Sequence, residues 1–314
     1  MPGVPVRLDP QAQAIVDLFA RMPQPDYATL TAADYRALLG AVPPMAVGDD
    51  GLASIEDHAV AGPDGSLPVR IFRPAGRAPL PLTVYFHGGG FVSCSIDTHA
   101  NLCSRLAALS GSIVASVAYR LAPEHRFPAA VDDAVAAVRA LHQRARSLGA
   151  DPDRVAVGGD SAGGTLAAVT AHALRGSDVP LRHQLLLYPG TDAACDSPSQ
   201  VDSDNAPFLN RELMRWFWRQ YLPDPAAGLD PRASPLRQTD LAGVAPATVI
   251  TAGFDPLRDE GEAYARALIQ AGVCVTQQRW GGQLHGFASF LGAIDAAAEA
   301  LALCALQLRG AFDN

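Results

Sequence analysis

The stretch Val155-Ala-Val-Gly-Gly-Asp-Ser-Ala-Gly-Gly164 joins a short β-branched run to an alanine-rich segment that continues to Leu174. This order predicts a strand, a tight turn and a helix. Within it, Gly159-Asp160-Ser161-Ala162-Gly163 fits the G-x-S-x-G nucleophile elbow. The spacing has a steric reason. A serine on a sharp turn brings the positions two before and two after it close to neighbouring backbone, where a Cβ would clash. The helix that follows directs its N-terminus at the serine and favours negative charge developing there. With 28 glycines in 314 residues, the pattern by itself also fits a plain glycine turn between two elements. The rest of the chain has to decide.

The flanking sequence alternates. Strands are predicted at 55–60, 69–73, 82–86, 113–118, 155–157, 184–188, 247–251 and 274–279. Helices are predicted at 98–109, 129–148, 165–174, 260–271 and 293–308. Alternation of this kind implies a mainly parallel sheet covered on both faces. Gly62-Pro-Asp-Gly65 splits the first two strands and reads as an antiparallel hairpin. Two regions stand apart. Residues 10–22 carry Ile15, Leu18, Phe19 and Met22 at helical spacing, and Thr31 is placed to cap a second helix that Pro43 and Pro44 would end. Residues 190–240 hold no convincing strand but contain an amphipathic block at 210–221 with Met214, Trp216, Phe217, Trp218 and Tyr221. The chain therefore divides into a helical segment at 1–50, a core at 51–190, an insertion at 191–240 and a second core part at 241–314.

A chain of this length buries a large core. The net charge of −8 argues against nucleic acid or an anionic membrane as partner. The five cysteines, Cys94, Cys103, Cys195, Cys274 and Cys304, show no metal-like spacing and read as free thiols. With no hydrophobic leader and no apolar run of membrane-spanning length, a cytoplasmic protein is expected.

Three further segments point to acyl chemistry. His87-Gly-Gly-Gly-Phe91 follows a predicted strand, and its bare backbone N–H groups suit a developing oxyanion. His87 itself is expected to fix that loop, because the base should come later in the chain. Asp255 falls just beyond a strand's carboxyl end, where open α/β sheets place their chemistry. His285 is the one histidine of eight in a predicted loop downstream of Asp255. The order Ser161, Asp255, His285 is that of α/β-hydrolases. Asp192 also follows a strand and competes for the acid position. Asp259 and Glu260, at the start of the next helix, read as caps.

Five segments together resemble the hormone-sensitive-lipase-like carboxylesterases. They are His87–Phe91, Tyr119-Arg-Leu-Ala-Pro-Glu-His-Arg-Phe-Pro128, Gly159–Gly164, Asp255-Pro-Leu-Arg-Asp-Glu260 and His285-Gly-Phe287. The resemblance implies an α/β-hydrolase fold with an eight-stranded sheet and a helical cap. It implies Ser161 as nucleophile, His285 as base and Asp255 as its partner, with an oxyanion hole from the N–H groups of Gly88, Gly89 and Ala162. It implies no cofactor or metal, a small-molecule ester as substrate and, often, a homodimer. The 120–127 segment should brace the glycine loop. Phe91, Phe208, Met214, Phe217 and Phe287 are expected in the substrate pocket. Amide, lactone or acetylated-metabolite hydrolysis by the same residues, and a non-catalytic receptor on the same scaffold, are the competing functions. The receptor reading is weakened by the presence of His285.

Overall fold

The computed structural model describes residues 7–23, 25–42, 45–203 and 208–313. Helices α1 (Pro10–Ala20) and α2 (Ala32–Gly40) come first. Thr31 caps α2 as its sequence predicts, accepting from Asp34 N–H, and Asp9 caps α1 by accepting from Gln11 N–H. Pro43 and Pro44 lie outside the described residues. The chain then runs through β1 (Leu52–Gly62), β2 (Gly65–Pro74), β3 (Leu80–Phe86), α3 (Ala100–Ser110), β4 (Ile113–Val117) and α4 (Ala129–Gln143). Next come β5 (Ala150–Asp160), α5 (Ala162–Ala173), β6 (Leu181–Leu187), α6 (Pro198–Asp202) and α7 (Arg211–Tyr221). The last elements are β7 (Ala247–Phe254), α8 (Arg258–Gln270), β8 (Val275–Leu284) and α9 (Asp295–Asp313).

The strands form one sheet in the order β1-β2-β4-β3-β5-β6-β7-β8. β1 and β2 are the expected hairpin, and β2 also pairs antiparallel with β4. Every other pair is parallel. Side chains of alternate residues go to opposite faces. On β3, Val84 and Phe86 join the core under α4, α5 and α8, while Tyr85 joins the core under α3 and α9. Both faces are covered, which is why the central strands read as unbroken apolar runs. α4 is shorter than its composition suggests. The chain tightens into a 3₁₀ turn at Arg146–Leu148, and Gly149 then takes a left-handed conformation.

Of the helices outside the alternation, α2 and α7 pack on one another, while α6 packs on α8 and α1 on β8. α7 buries Leu213, Met214, Trp216, Phe217, Trp218 and Tyr221 and leaves Glu212, Arg215 and Arg219 in solvent. Trp216 Nε1–H donates to Leu30 O at 3.1 Å, and Tyr35 of α2 meets the rings of Trp216 and Phe217 at 5.1 and 5.3 Å.

Residues 191–200 are tied to α8 by two carboxyl side chains. Glu260 is buried and accepts from Thr191 N–H at 2.7 Å, Asp192 N–H at 3.2 Å and Gln200 Nε2 at 3.2 Å. Asp259 accepts from Ser199 N–H at 2.9 Å. Neither caps α8, contrary to the sequence reading. The N-cap position is Leu257, without a side-chain cap bond. The buried loop after β6 presents N–H groups that need acceptors, and these two side chains reach them.

Burial pushes the Glu260 carboxyl up from 4.5 to about 8, although its hydrogen bonds oppose the shift. Between those values the unfolded chain has released this proton and the folded chain keeps it. The stability contribution is therefore full below pH 4.5 and is lost as pH rises through about 8. Glu260→Gln should flatten that decline. Urea midpoints measured between pH 5 and pH 8 should fall more steeply in the wild type than in the variant.

Candidate active site

Ser161 stands between β5 and α5 with φ 55° and ψ −121°, a backbone region that non-glycine residues rarely occupy. Its N–H donates to Leu187 O at 2.8 Å, which fixes the turn to the next strand. The glycines around it are sterically required. A Cβ on Gly163 would run into the carbonyl oxygen of Phe86, and one on Gly159 into the carbonyl of Gly163.

His285 follows β8 directly, and Asp255 follows β7 directly. His285 Nε2 lies 2.9 Å from Ser161 Oγ, and His285 Nδ1 lies 2.8 Å from Asp255 Oδ2. Asp255 Oδ1 accepts from Leu257 N–H at 2.8 Å, so both carboxylate oxygens are engaged and the acid cannot swing away. The side chain of Asp255 is fully buried. Tyr188 sets its ring edge-on to His285 at 4.9 Å. Asp192 is elsewhere: it pairs with Arg237 at 2.9 Å. The three residues expected to act together are thus brought together, and the competitor is not among them.

The glycine loop departs from expectation at Gly88. Its N–H donates to Asp160 Oδ1 at 3.0 Å and is buried there. Withdrawing it would leave a buried carboxylate short of a donor. Among the described residues, the N–H groups of Gly89, Gly90 and Ala162 have no acceptor, and all three residues line the cavity beside Ser161. The donor set open to a carbonyl oxygen is therefore Gly89, Gly90 and Ala162. Gly89, Gly90 and Phe91 have φ of 112°, 62° and 63°, a run that turns successive N–H groups to one side.

Asp160 was not singled out from the sequence. Its carboxylate also accepts from Tyr85 Oη at 3.0 Å and lies 3.2 Å from His99 Nε2. Burial would raise its pKa, but His99 and these hydrogen bonds hold it below the usual carboxylate value. His87 behaves as expected for a loop-fixing residue. Burial, reinforced by His99, pushes it down to about 4, so it is neutral. Its Nδ1–H donates to Gly88 O at 2.7 Å, and its ring stacks on Tyr119, whose hydroxyl donates to His87 O.

The 120–127 segment does brace this loop: Ala122 N–H donates to Phe91 O at 2.9 Å. Arg36, from α2, adds bonds to Val92 O at 2.7 Å and Ala122 O at 2.8 Å while pairing with Glu124. Phe91 stacks on Tyr221 at 3.8 Å, and the Phe217 ring lies against Gly90, where a Cβ would collide with it.

A cavity of about 520 Å³ opens onto Ser161 and His285. Phe91, Phe208, Met214 and Phe217 line it, as expected. Phe287 does not. Gly286 turns the chain with φ 75°, and Phe287 is fully buried under the sheet against Tyr188 and Trp280. Phe19, Tyr35 and Phe290 line the cavity as well. The helical spacing exposed Phe19 as an apolar-face residue, but nothing in the sequence marked Phe290.

Residues 83–289 match the model of the family described as alpha/beta hydrolase fold. The chain is 45% identical over 264 residues to the carboxylic ester hydrolase LipN of Mycobacterium tuberculosis, covering 81% of this chain and 69% of that protein. It is 43% identical to an ethyl acetate hydrolase of Pseudomonas putida, covering 79% and 80%. Among solved structures, a hyperthermophilic esterase from Pyrobaculum calidifontis matches with a TM-score of 0.89 at 39% identity, covering 97% of this chain and 98% of that one.

Removing the charge that orients an imidazole, with its geometry kept, lowers kcat by roughly 10⁴. Asp255→Asn should show a loss of that order on an activated ester. Asp192→Asn should stay within about threefold of wild type, as expected for a partly exposed ion pair remote from the chemistry. Steady-state rates of the two folded variants decide between the two acids.

Proposed function

The chain belongs to the hormone-sensitive-lipase-like carboxylesterases of the α/β-hydrolase fold, and we propose that it cleaves esters of short to medium acyl groups through an acyl-enzyme on Ser161. The observation that carries this reading is the unbroken hydrogen-bonded chain from Asp255 through His285 to Ser161 at the floor of an apolar cavity. Nδ1 of His285 faces a carboxylate and so holds the proton, which leaves the Nε2 lone pair for the serine hydroxyl. Ser161 Oγ attacks the ester carbonyl as its proton passes to Nε2. The carbonyl oxygen gains charge against the N–H groups of Gly89, Gly90 and Ala162, with the N-terminus of α5 behind them. The imidazolium then gives its proton to the departing alcohol. Water, activated by the same nitrogen, releases the acid.

The acyl chain fits along α7, where Met214, Phe217 and Leu213 line the wall beside Gly90. That volume suits acetate to octanoate. Among the described residues no helix is long and apolar enough to cross a membrane. The substrate in this reading is a small molecule. A reducing, cytoplasmic setting is part of the same reading, supported by five cysteines that all stand as free thiols.

Ser161→Ala should fold normally and retain less than a tenth of the esterase activity, and an organophosphonate should label Ser161 only in the wild type. Retention of more than a tenth would remove the serine from the mechanism. Across 4-nitrophenyl esters, kcat/KM should peak between two and eight acyl carbons. Faster turnover of emulsified long-chain triglycerides than of butyrate esters would contradict the assigned chain length.

A further inference from the structure

The direction in which the alcohol leaves is set by His285. The departing oxygen must be the one that Nε2 protonates, so the alcohol portion of a bound ester lies on the His285 side of Ser161. On that side three phenyl rings from separate parts of the chain come together: Phe19 of α1, Phe208 ahead of α7, and Phe290 just past His285. All three line the cavity and are only partly buried. Their centroids are 4.8 Å apart for Phe19 and Phe208, 6.0 Å for Phe208 and Phe290, and 6.5 Å for Phe19 and Phe290. The interplanar angles are 85°, 70° and 78°, so every pair meets edge to face. The cluster starts one residue from the base. Phe208 Cε1 lies 3.8 Å from where a Cβ on Gly286 would be. Phe208 has φ 93°, a conformation that non-glycine residues rarely adopt unless their surroundings hold them.

Three mutually perpendicular rings present both electropositive edges and electronegative faces to the space they border. A flat aromatic guest continues that packing and gains from it beyond the area it buries; a saturated ring of equal size gains only the area. Resting on the carboxylesterase reading above, we infer that the alcohol subsite is an aryl site and that the preferred leaving groups are benzylic or phenylalkyl alcohols. Phe19, Phe208 and Phe290 set specificity there and take no part in bond making.

The test compares benzyl acetate with cyclohexylmethyl acetate on the purified protein. The two alcohols have the same number of carbons, and neither is activated, so the ratio of kcat/KM reports ring recognition. Benzyl acetate should be favoured by about fivefold, within the range expected for one aromatic contact. Phe19→Leu and Phe208→Leu should each bring the ratio close to one. Phe19 is not in a strained conformation, so its variant keeps the test informative if Phe208→Leu misfolds. Benzyl alcohol should also inhibit hydrolysis of 4-nitrophenyl butyrate more strongly than cyclohexylmethanol does. A wild-type ratio at or below one, or a ratio unmoved in a folded variant, would overturn the aryl site while leaving the esterase intact. Failure to hydrolyse either acetate or 4-nitrophenyl butyrate would overturn the esterase reading and this inference with it.

Discussion

One buried carboxylate holds three segments of this site in register. Asp160 ends β5, and its oxygens collect the hydroxyl of Tyr85 from β3, the N–H of Gly88 from the glycine loop, and the contact with His99 beside α3. A charge at 3% exposure is tolerable only with that many partners. The partners are therefore as constrained as the charge. The turn at Ser161 and the glycine loop cannot move independently, because the residue before Ser161 holds the residue after His87. Much of the remaining architecture secures these two turns from outside. Leu187 accepts from the Ser161 N–H, Tyr119 stacks on His87, and the 120–127 segment bonds to Phe91.

The upper helices do more than roof the cavity. Arg36 reaches from α2 to Val92, and Tyr221 and Phe217 from α7 lie on Phe91 and Gly90. Phe91 and Cys94 hold positive φ without being glycine. Such conformations persist only where surrounding contacts over-determine them. The contacts from α2 and α7 supply part of that restraint, so the shape of the glycine loop depends on helices distant in sequence from Ser161.

The sheet was legible because its signals are local and repeat: apolar runs, alternating helices, and a Gly-Pro-Asp-Gly hairpin turn. The residues of the Asp255–His285–Ser161 chain were legible for a different reason. Each follows a strand's end, and the chain order leaves few alternatives. What was not legible depends on where a group points. Gly88 and Gly89 look alike in a row of three glycines, and only the side chain of Asp160 distinguishes them. Phe287 follows a glycine whose left-handed turn sends it under the sheet, whereas Phe290, three residues later, faces the cavity. Asp259 and Glu260 sit where capping residues usually sit, yet they serve a loop that precedes them by dozens of residues. The sequence shows no trace of that loop's need for acceptors.

The order of the groups along the chain also bears on biosynthesis. A chain emerging N-terminus first exposes Ser161 and the glycine loop long before Asp255 and His285 exist. His285 follows β8 directly, so the pairing of β8 with β7 at the edge of the sheet is what carries the imidazole to the hydroxyl. Until then the strained turn carries an ordinary alcohol. On the proposed mechanism, a polypeptide that has not yet reached His285 holds Ser161 without its base.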